Sequence, residues 1–365
     1  MFGNLISPRP LTPSPSRGGG VVIAALLFLA LASCASAQPA QAPAPRWSIA
    51  LHGGAGVIER ANLDPQTEAA YRAALQEALE IGGAILEEGG SALDAVEAAI
   101  HRMEDDPLFN AGRGAVFTAD GVNELDASIM DGRSRSAGAV ARVTRTRHPI
   151  SLARAVMEHS PHVMLSGEGA DAFARERGLE QVSPSYFFTE RRWRQMEAVL
   201  RSRNEPIPPR PEGAPREEGA LLLDDHQFGT VGVVARDAQG NVAAGTSTGG
   251  TTAKRWGRIG DSPIIGAGTY AQNGVCAVSA TGTGEYFIRL SVARTICALM
   301  ELRGLSAQAA ADQVIQRDLT AIEGDGGVIV IDGQGRAAWS MNTSGMYRAR
   351  LEAGGAPIVQ IFADE

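Results

Sequence analysis

Apolar and polar positions divide the first half of the chain into one strand followed by helices and short strand-like pieces. Residues 48–51 form a buried strand pattern that ends at the glycine-rich stretch HGGAG, 52–56. Apolar residues then recur with helical spacing in four segments: 65–86, 92–103, near 152–158 and 190–201. Glycine-broken pieces between these segments are typical of short strands.

The second half has a different pattern. Residues 202–225 are rich in Pro, Glu, Arg and Gly, which predicts a disordered linker. A strand–turn–strand pattern that starts at Thr230 predicts a hairpin. Further strands are predicted at 274–280 and 327–332, with a helix near 287–297 between them. This order predicts an α+β protein whose helices pack on sheets.

The first 46 residues indicate export. The apolar run 21–32 follows two arginines and is short for a membrane span, as in a signal peptide. Cleavage after Ala37 would remove residues 1–37; a lipobox before Cys34 would instead give a lipoprotein signal, 1–33. The alternative is a plain N-terminal anchor. Residues 38–46 form a Pro/Ala linker. We expect a periplasmic protein, bound to the membrane only if Cys34 is lipidated.

Composition narrows the possible partners. The chain has 365 residues, of which 44% are hydrophobic and 20% charged, as in globular proteins. Its net charge of −8 and the lack of a Lys/Arg run argue against a nucleic-acid partner. Cys276 and Cys297 lie in apolar runs and are expected to be buried. An exported protein permits a disulfide between them, but the sequence does not require one.

Ser247 lies in GTSTGG, which satisfies the G-x-S-x-G pattern of α/β-hydrolases. That fold places its catalytic histidine after the serine, and the last histidine of this chain is His226. A serine without an adjacent base is a weak nucleophile. We therefore reject Ser247 as a nucleophile and interpret HGGAG as a glycine turn.

Thr230 is a better candidate, because it opens a strand directly after a linker that ends in Gly229. Cutting the Gly229–Thr230 bond would give Thr230 a free α-amino group with a pKa of about 7.7–8.0. Nucleophile and base would then belong to one residue. This chemistry needs no histidine.

The motifs GTVG, TSTGG, GRIGDSP and TGTGE occur in this order, with HGGAG and PLFNAG before them. Together they closely resemble plant-type L-asparaginases, also called isoaspartyl peptidases, from Trp47 to the C-terminus apart from the linker. The resemblance implies a four-layer αββα sandwich of the N-terminal nucleophile hydrolase type. It also implies a precursor that cuts itself into an α subunit, 47–229, and a β subunit, 230–365. Two cleaved heterodimers would assemble as an (αβ)2 dimer.

The same resemblance assigns the reacting groups. Thr230 would be the nucleophile for self-cleavage at Gly229–Thr230 and for a substrate amide. Thr248 would hydrogen-bond that nucleophile. The Thr281 hydroxyl and the Gly282 N–H would bind the substrate carbonyl as oxyanion donors.

Four further positions match substrate-binding residues of the family. Arg258 would bind the α-carboxylate of a β-aspartyl substrate through two hydrogen bonds, and Asp261 its α-ammonium group. A plain salt bridge between Arg258 and Asp261 is the alternative. Gly284 would let substrate approach the backbone, and Asn110 would lie near the nucleophile. The implied substrates are small: asparagine and β-aspartyl peptides.

Catalysis of this type needs no cofactor, but the resemblance implies a structural sodium ion. Backbone carbonyls of one loop would hold it, at Met103, Glu104, Asp106, Phe109, Ala111 and Arg113. Arg113 stands where the family often has an apolar residue, which carbonyl ligation would tolerate.

Two alternative functions remain. Glycosylasparaginases share the fold, but they typically have Asp before the nucleophile and TSTNG where this chain has Gly229 and TSTGG. A non-catalytic periplasmic binding homologue would not need the threonines, Arg258 and Asp261 that the chain retains. Both observations favour the asparaginase and isoaspartyl-peptidase branch.

Overall fold

The computed structural model describes residues 45–215 and 229–365. The predicted signal peptide, nearly all of the 38–46 linker and residues 216–228 lie outside the described residues. The described residues belong to one compact unit. Among the described residues, every helix is too short or too polar to cross a membrane.

The strands form two sheets. The larger has the order β12-β11-β1-β5-β6-β2-β3-β4. Its strands in chain order are β1 Ser48–Gly56, β2 Leu125–Asp131, β3 Ala137–Val143, β4 Met164–Ser166, β5 Val231–Arg236, β6 Val242–Thr248, β11 Gly345–Glu352 and β12 Ile358–Phe362. The smaller sheet has the order β10-β9-β8-β7. Its strands are β7 Thr269–Gln272, β8 Cys276–Gly282, β9 Gly326–Asp332 and β10 Ala337–Met341.

The helices lie outside these sheets. They are α1 Pro65–Glu87, α2 Ala92–Glu104, α3 Pro149–His159, α4 Gly167–Glu176, α5 Glu190–Ser202, α6 Gly284–Leu290, α7 Val292–Arg303 and α8 Ala307–Asp312, which continues as a π-helical stretch, Gln313–Leu319. Asp64 caps α1 by accepting the N–H groups of Gln66 and Thr67, both at 3.0 Å.

Four layers result from the packing. The inner faces of β1, β5 and β6 lie on β7, β8 and β9 and enclose an apolar core with residues such as Val234 and Val278. Helices α1–α3 cover the outer face of the large sheet, and α7 and α8 cover the small one. The predicted αββα sandwich is confirmed, together with the hairpin of β5 and β6.

Two elements differ from the prediction. Strand β1 runs through HGGAG to Gly56 instead of ending at a turn, because this stretch keeps pairing with β11 across a register shift between His52 and Gly54. The helix predicted near 287–297 is two helices, since Ser291 adopts a left-handed conformation with φ 47° between α6 and α7.

The described part of the predicted disordered linker has specific contacts. Arg210 binds both carboxylate oxygens of Glu190 at 2.7 Å, and Glu205 forms an ion pair with Arg255. Ala214 packs against the aromatic cluster around Trp193. Residues 203–215 therefore pack on the protein surface, in contrast to the prediction of disorder across 202–225. Residues 216–225 lie outside the described part.

Cys276 and Cys297 are buried, as expected, and form a disulfide with their Cα atoms 5.8 Å apart. The bond joins β8 to α7, the helix that covers it. The sequence had left this pairing open.

Candidate active site

Thr230 lies directly before β5, opposite the end of β6. Residues Val231 and Ser247 are paired in the antiparallel register, which places Thr230 beside Thr248. The two hydroxyl oxygens are 2.9 Å apart. Thr248 Oγ1 also accepts the N–H of Gly250 at 3.0 Å. The hairpin register therefore brings the predicted nucleophile and its predicted hydrogen-bond partner together.

Ser247 points to the opposite face of β6, as strand alternation requires. Its buried hydroxyl donates to Glu104 Oε1 at 2.6 Å, on the side covered by helices. A buried serine that donates to a carboxylate on the far side of the sheet from Thr230 is a structural residue. This placement agrees with the rejection of Ser247 as a nucleophile.

His52 is the main residue that the sequence analysis missed. Burial lowers the pKa of its imidazole to about 3, so the ring is neutral. Nδ1 lies 3.0 Å from the Thr230 carbonyl oxygen and must donate, since a carbonyl only accepts; Nε2 then accepts from Ser279 Oγ at 3.0 Å. A side chain at Gly232 would meet both Ser279 Oγ and His52 Nε2, within 2.3 Å. Gly232, the second glycine of GTVG, thus leaves the space that the contact between His52 and Ser279 needs.

A buried hydroxyl network extends from His52 between the two sheets. Ser279 Oγ lies 2.7 Å from Thr246 Oγ1, which lies 2.6 Å from Thr269 Oγ1. Ser128 Oγ continues the network at 2.8 Å from Thr269. Satisfied buried polar networks hold their members rigidly. Through His52, this network between the two sheets therefore holds the backbone carbonyl of Thr230 in place.

A narrow cavity opens beside Thr230. Its lining residues are Thr230, Thr248, Gly250, Thr251, Arg258, Gly260, Asp261, Ser262 and Gly282. It thus contains five of the predicted site residues, from four separate motifs of the chain.

Arg258 forms its ion pair with Glu285 and not with Asp261. Nε and Nη2 donate to the two Glu285 oxygens at 2.9 and 2.8 Å. Nη1 lies against the cavity-lining residues Gly250 and Gly260. The guanidinium is thus held by Glu285 on one edge and presents the other edge to the cavity. The glutamate of TGTGE was not assigned a role from the sequence.

Asp261 is only 4% exposed, and its Oδ2 has no hydrogen-bond partner among the described residues. Burial raises the pKa of this carboxyl to about 7, against the opposing effect of the Arg258 charge. A buried carboxylate oxygen without a partner, on a cavity wall, is suited to a cationic ligand. Gly284 packs on this residue: a side chain there would lie 2.8 Å from Asp261 Oδ1. Gly284 thus makes room for Asp261, and the approach of substrate to its backbone stays a prediction.

The predicted oxyanion donors lie at the end of β8. Gly282 lines the cavity. Thr281 Oγ1 accepts the N–H of Ala55 at 3.3 Å, which leaves the hydroxyl hydrogen of Thr281 available to donate. Gly282 therefore borders the cavity directly, whereas Thr281 is not among its lining residues, and their shared oxyanion contact stays a prediction.

Asn110 contacts the bond before Thr230 through its backbone. Its N–H donates to the Gly229 carbonyl oxygen at 3.1 Å. Its side chain donates to Gly250 O at 2.8 Å and accepts the Val116 N–H at 2.9 Å. The side chain thus braces the turn after Thr248, and the N–H polarises the Gly229 carbonyl; the contact with substrate stays a prediction.

The predicted sodium loop follows α2. The space that a side chain would fill at Gly112 is occupied by the Glu104 carbonyl oxygen, and that at Gly114 by the Phe109 carbonyl oxygen. The carbonyls of Met103 and Ala111 accept loop N–H groups. In the described chain, no cluster of three or more His, Cys, Asp or Glu side chains could hold a metal. The carbonyls of Glu104 and Phe109 thus lie close to the loop glycines, and the sodium ion stays a prediction.

A four-layer αββα sandwich, with a threonine at the start of a central strand facing a cavity, defines an N-terminal nucleophile hydrolase. The chain belongs to the asparaginase family, which it matches over residues 45–361. It is 50% identical over 319 residues to the isoaspartyl peptidase of Escherichia coli, covering 87% of this chain and 96% of that protein. It is 42% identical to the plant-type L-asparaginase of Pyrococcus abyssi, over 84% of this chain and 97% of the other. The human isoaspartyl peptidase/L-asparaginase is also 42% identical, over 79% of this chain and 87% of its own length.

Proposed function

We propose that this protein is an autoproteolytically activated hydrolase of β-aspartyl amide bonds, acting on isoaspartyl dipeptides and L-asparagine and releasing aspartate. One observation carries the proposal. The Thr230 hydroxyl, 2.9 Å from Thr248, faces a cavity whose wall holds both a guanidinium, Arg258, and a buried carboxyl, Asp261. The names of the relatives agree with these substrates.

Self-cleavage comes first in this proposal. Thr230 Oγ1 attacks the Gly229 carbonyl carbon, while the Asn110 N–H donates to the developing oxyanion. The C–N bond breaks and leaves an ester between Gly229 and Thr230. The hydroxyl proton passes to the Thr230 nitrogen, which becomes the free amine. Water then hydrolyses the ester, so that Gly229 gains a carboxylate and Thr230 regains its hydroxyl.

The free amine then serves as the base for substrate hydrolysis. The substrate α-carboxylate binds the cavity-facing edge of Arg258, and its α-ammonium group binds Asp261. Thr230 attacks the β-carbonyl, whose oxygen receives hydrogen bonds from Thr281 and Gly282. The amine or ammonia leaves, and water releases aspartate from the acyl-enzyme.

Purification tests the proposal directly. The wild type is expected as two chains, the smaller beginning Thr-Val-Gly-Val, whereas Thr230→Ala stays uncut. The cut protein should release aspartate from both asparagine and β-Asp-Leu, and their relative kcat/KM values give the preference. A folded wild-type sample that stays one chain after long incubation, or that releases no aspartate, would contradict the proposal.

We also propose that the loop from Met103 to Arg113 holds a sodium ion through backbone carbonyls. Support comes from the carbonyls of Glu104 and Phe109, which crowd the loop glycines. The ion would stiffen the loop that carries Asn110 and would take no part in the chemistry. Replacing Na⁺ by Li⁺ or a bulky organic cation should lower the melting temperature; an unchanged melting temperature would argue against the ion.

For location and assembly, we propose an exported (αβ)2 dimer. The predicted signal peptide and the disulfide between Cys276 and Cys297 support export to an oxidising compartment. Fractionation of native cells should recover the protein in the periplasm, and labelling with palmitate would separate lipidation at Cys34 from cleavage after Ala37. Light scattering of the cleaved protein tests the dimer.

A further inference from the structure

Arg192, on α5, is a buried cation beside the active site. Its side chain is almost fully enclosed, at 3% exposure. Nε donates to the Gly114 carbonyl at 2.8 Å, and Nη1 donates to Gln195 Oε1 at 3.0 Å. Within residues 45–215 and 229–365, these partners are neutral and no carboxylate pairs with the guanidinium. Burying a charge without a counter-charge is costly.

The surroundings of the guanidinium disfavour its positive charge. Burial lowers the pKa of Arg192 to about 9, and the neighbouring charge of Arg191 acts in the same direction. Arg191 itself donates to the Pro107 and Leu108 carbonyls, which are also neutral. Two adjacent arginines thus create a positive environment that a single anion would offset.

The free end of Arg192 points at the cleavage site. A side chain at Gly229 would meet Arg192 Nη2 at 3.6 Å. Gly229 is itself fixed, since its Cα lies against Gly54 and its carbonyl accepts the Asn110 N–H. The guanidinium therefore lies next to the group that self-cleavage converts from a neutral peptide into a carboxylate.

We propose that Arg192 is the binding site for the α-carboxylate that self-cleavage creates on Gly229, an inference that rests on the proposed cleavage of the Gly229–Thr230 bond. When water hydrolyses the ester, its oxygen adds to the Gly229 carbonyl carbon and the bond to Thr230 Oγ1 breaks. The carboxylate forms where a buried guanidinium already lies, and an arginine can bind it with two hydrogen bonds. The ion pair stabilises the cleaved state and anchors the end of the α subunit beside the active site.

A cycle of four proteins tests this pairing. Arg192→Met is made in the cleaving chain and in the uncleavable Thr230→Ala chain, and the melting temperature of each is measured. In the uncleaved pair the substitution removes an unpaired buried charge, so the melting temperature should stay or rise. In the cleaved pair it leaves the carboxylate unpaired, so the melting temperature should fall by about 2–4 °C or more. Arg192→Lys, which keeps the charge, should recover part of the loss.

Arg194→Met is the matched control, because the partly exposed Arg194 lies on the same helix and already pairs with a carboxylate, that of the buried Glu190. It should shift both forms equally. Equal shifts for Arg192→Met would overturn the pairing while leaving the proposed function intact; a wild type that never cleaves would overturn both. If Arg192→Met does not fold, a crystal structure of the cleaved wild type decides. A Gly229 carboxylate within 4 Å of the guanidinium supports the pairing, and one placed elsewhere refutes it.

Discussion

The hydroxyl oxygens of Thr230 and Thr248 lie 2.9 Å apart across the β5–β6 hairpin. Thr248 Oγ1 already accepts the Gly250 N–H, so its orientation is fixed before it contacts Thr230. The nucleophile is thus held by a neighbour that is itself held by the backbone. A substitution that removes the Thr248 hydroxyl but keeps the size of the side chain therefore tests this contact alone.

We predict that Thr248→Val lowers both the rate of self-cleavage and kcat by at least about 10²-fold, the lower range for loss of a group that assists proton transfer. Valine keeps the shape and removes the hydroxyl. Thr248→Ser is the control and should retain most activity. The measurements are the disappearance of the full-length band with time and steady-state aspartate release. Wild-type rates in Thr248→Val would show that the contact is only structural.

Arg258 should control substrate binding and not maturation. Arg258→Lys keeps the charge but not the planar pair of donors, so kcat/KM for asparagine should fall by about 10²-fold, a loss of about 2.7 kcal/mol. Self-cleavage should proceed normally because no substrate is present. Amidating the α-carboxylate of the substrate should then harm the wild type much more than the variant. If amidation harms both enzymes equally, Arg258 does not touch that carboxylate.

The ionised carboxylate of Asp261 is proposed to bind substrate, and it also lowers the stability of the folded protein. The rise of its pKa from 3.8 to about 7 means that the folded protein resists ionising this group. Stability from the protonated form is fully present below about pH 4 and is lost as pH rises through 7. Asp261→Asn should therefore raise the melting temperature at pH 8 but hardly at pH 4, while it weakens binding of the substrate ammonium group. The full rise of the Asp261 pKa corresponds to about 4 kcal/mol of stability lost at high pH.

Thermal unfolding at the two pH values, with the Thr230→Ala chain as background, checks this without interference from cleavage. Ser262→Ala is a useful control, since Ser262 also lines the cavity but does not titrate. A variant that gains equally at both pH values would mean that Asp261 ionises in the folded protein as readily as in the unfolded chain.

Local patterns in the sequence predicted the β5–β6 hairpin and Thr230 at its start, whereas the four layers and the role of Thr248 were implied by the resemblance to plant-type asparaginases. Alternating apolar residues define β5 and β6, and the hairpin register alone places Thr248 opposite Thr230. The contacts of His52 with Ser279, and of Arg258 with Glu285, join segments far apart in sequence. Local pattern holds no information on such pairs, so they could not be predicted. HGGAG offered one signal, since it is among the motifs that carry the resemblance.

Asn110 and Gly284 show a second limit. Both match substrate-binding positions of the family; in the structure the Asn110 side chain contacts the turn after Thr248, and Gly284 packs against Asp261. A motif indicates that a residue belongs to a site, but its side-chain direction depends on the tertiary packing. The same applies to residues 203–215, whose polar composition predicted disorder although Arg210 and Glu205 find partners on the folded surface.

His52 yields the last prediction, on acid stability. In the unfolded chain this imidazole has a pKa near 6.5, whereas burial lowers it to about 3 in the folded protein. Protons therefore bind the unfolded chain preferentially, and the stability due to neutral His52 is lost as pH falls from 6.5 towards 3. From pH 6.5 to pH 5 this loss is about 2 kcal/mol. His52→Asn keeps an amide donor where Nδ1 meets the Thr230 carbonyl but cannot be protonated, so it should be less stable than the parent at pH 7 yet lose less on acidification. Urea unfolding of the two chains at pH 7 and pH 5, both in the Thr230→Ala background, measures the difference; other titrating groups cancel between them.

His162→Asn, which changes an exposed histidine, is the control and should follow the parent at both pH values. A parallel pH dependence for His52→Asn and its parent would mean that His52 is protonated in the folded state, and that its Nδ1 and Nε2 contacts do not hold the neutral ring beneath Thr230.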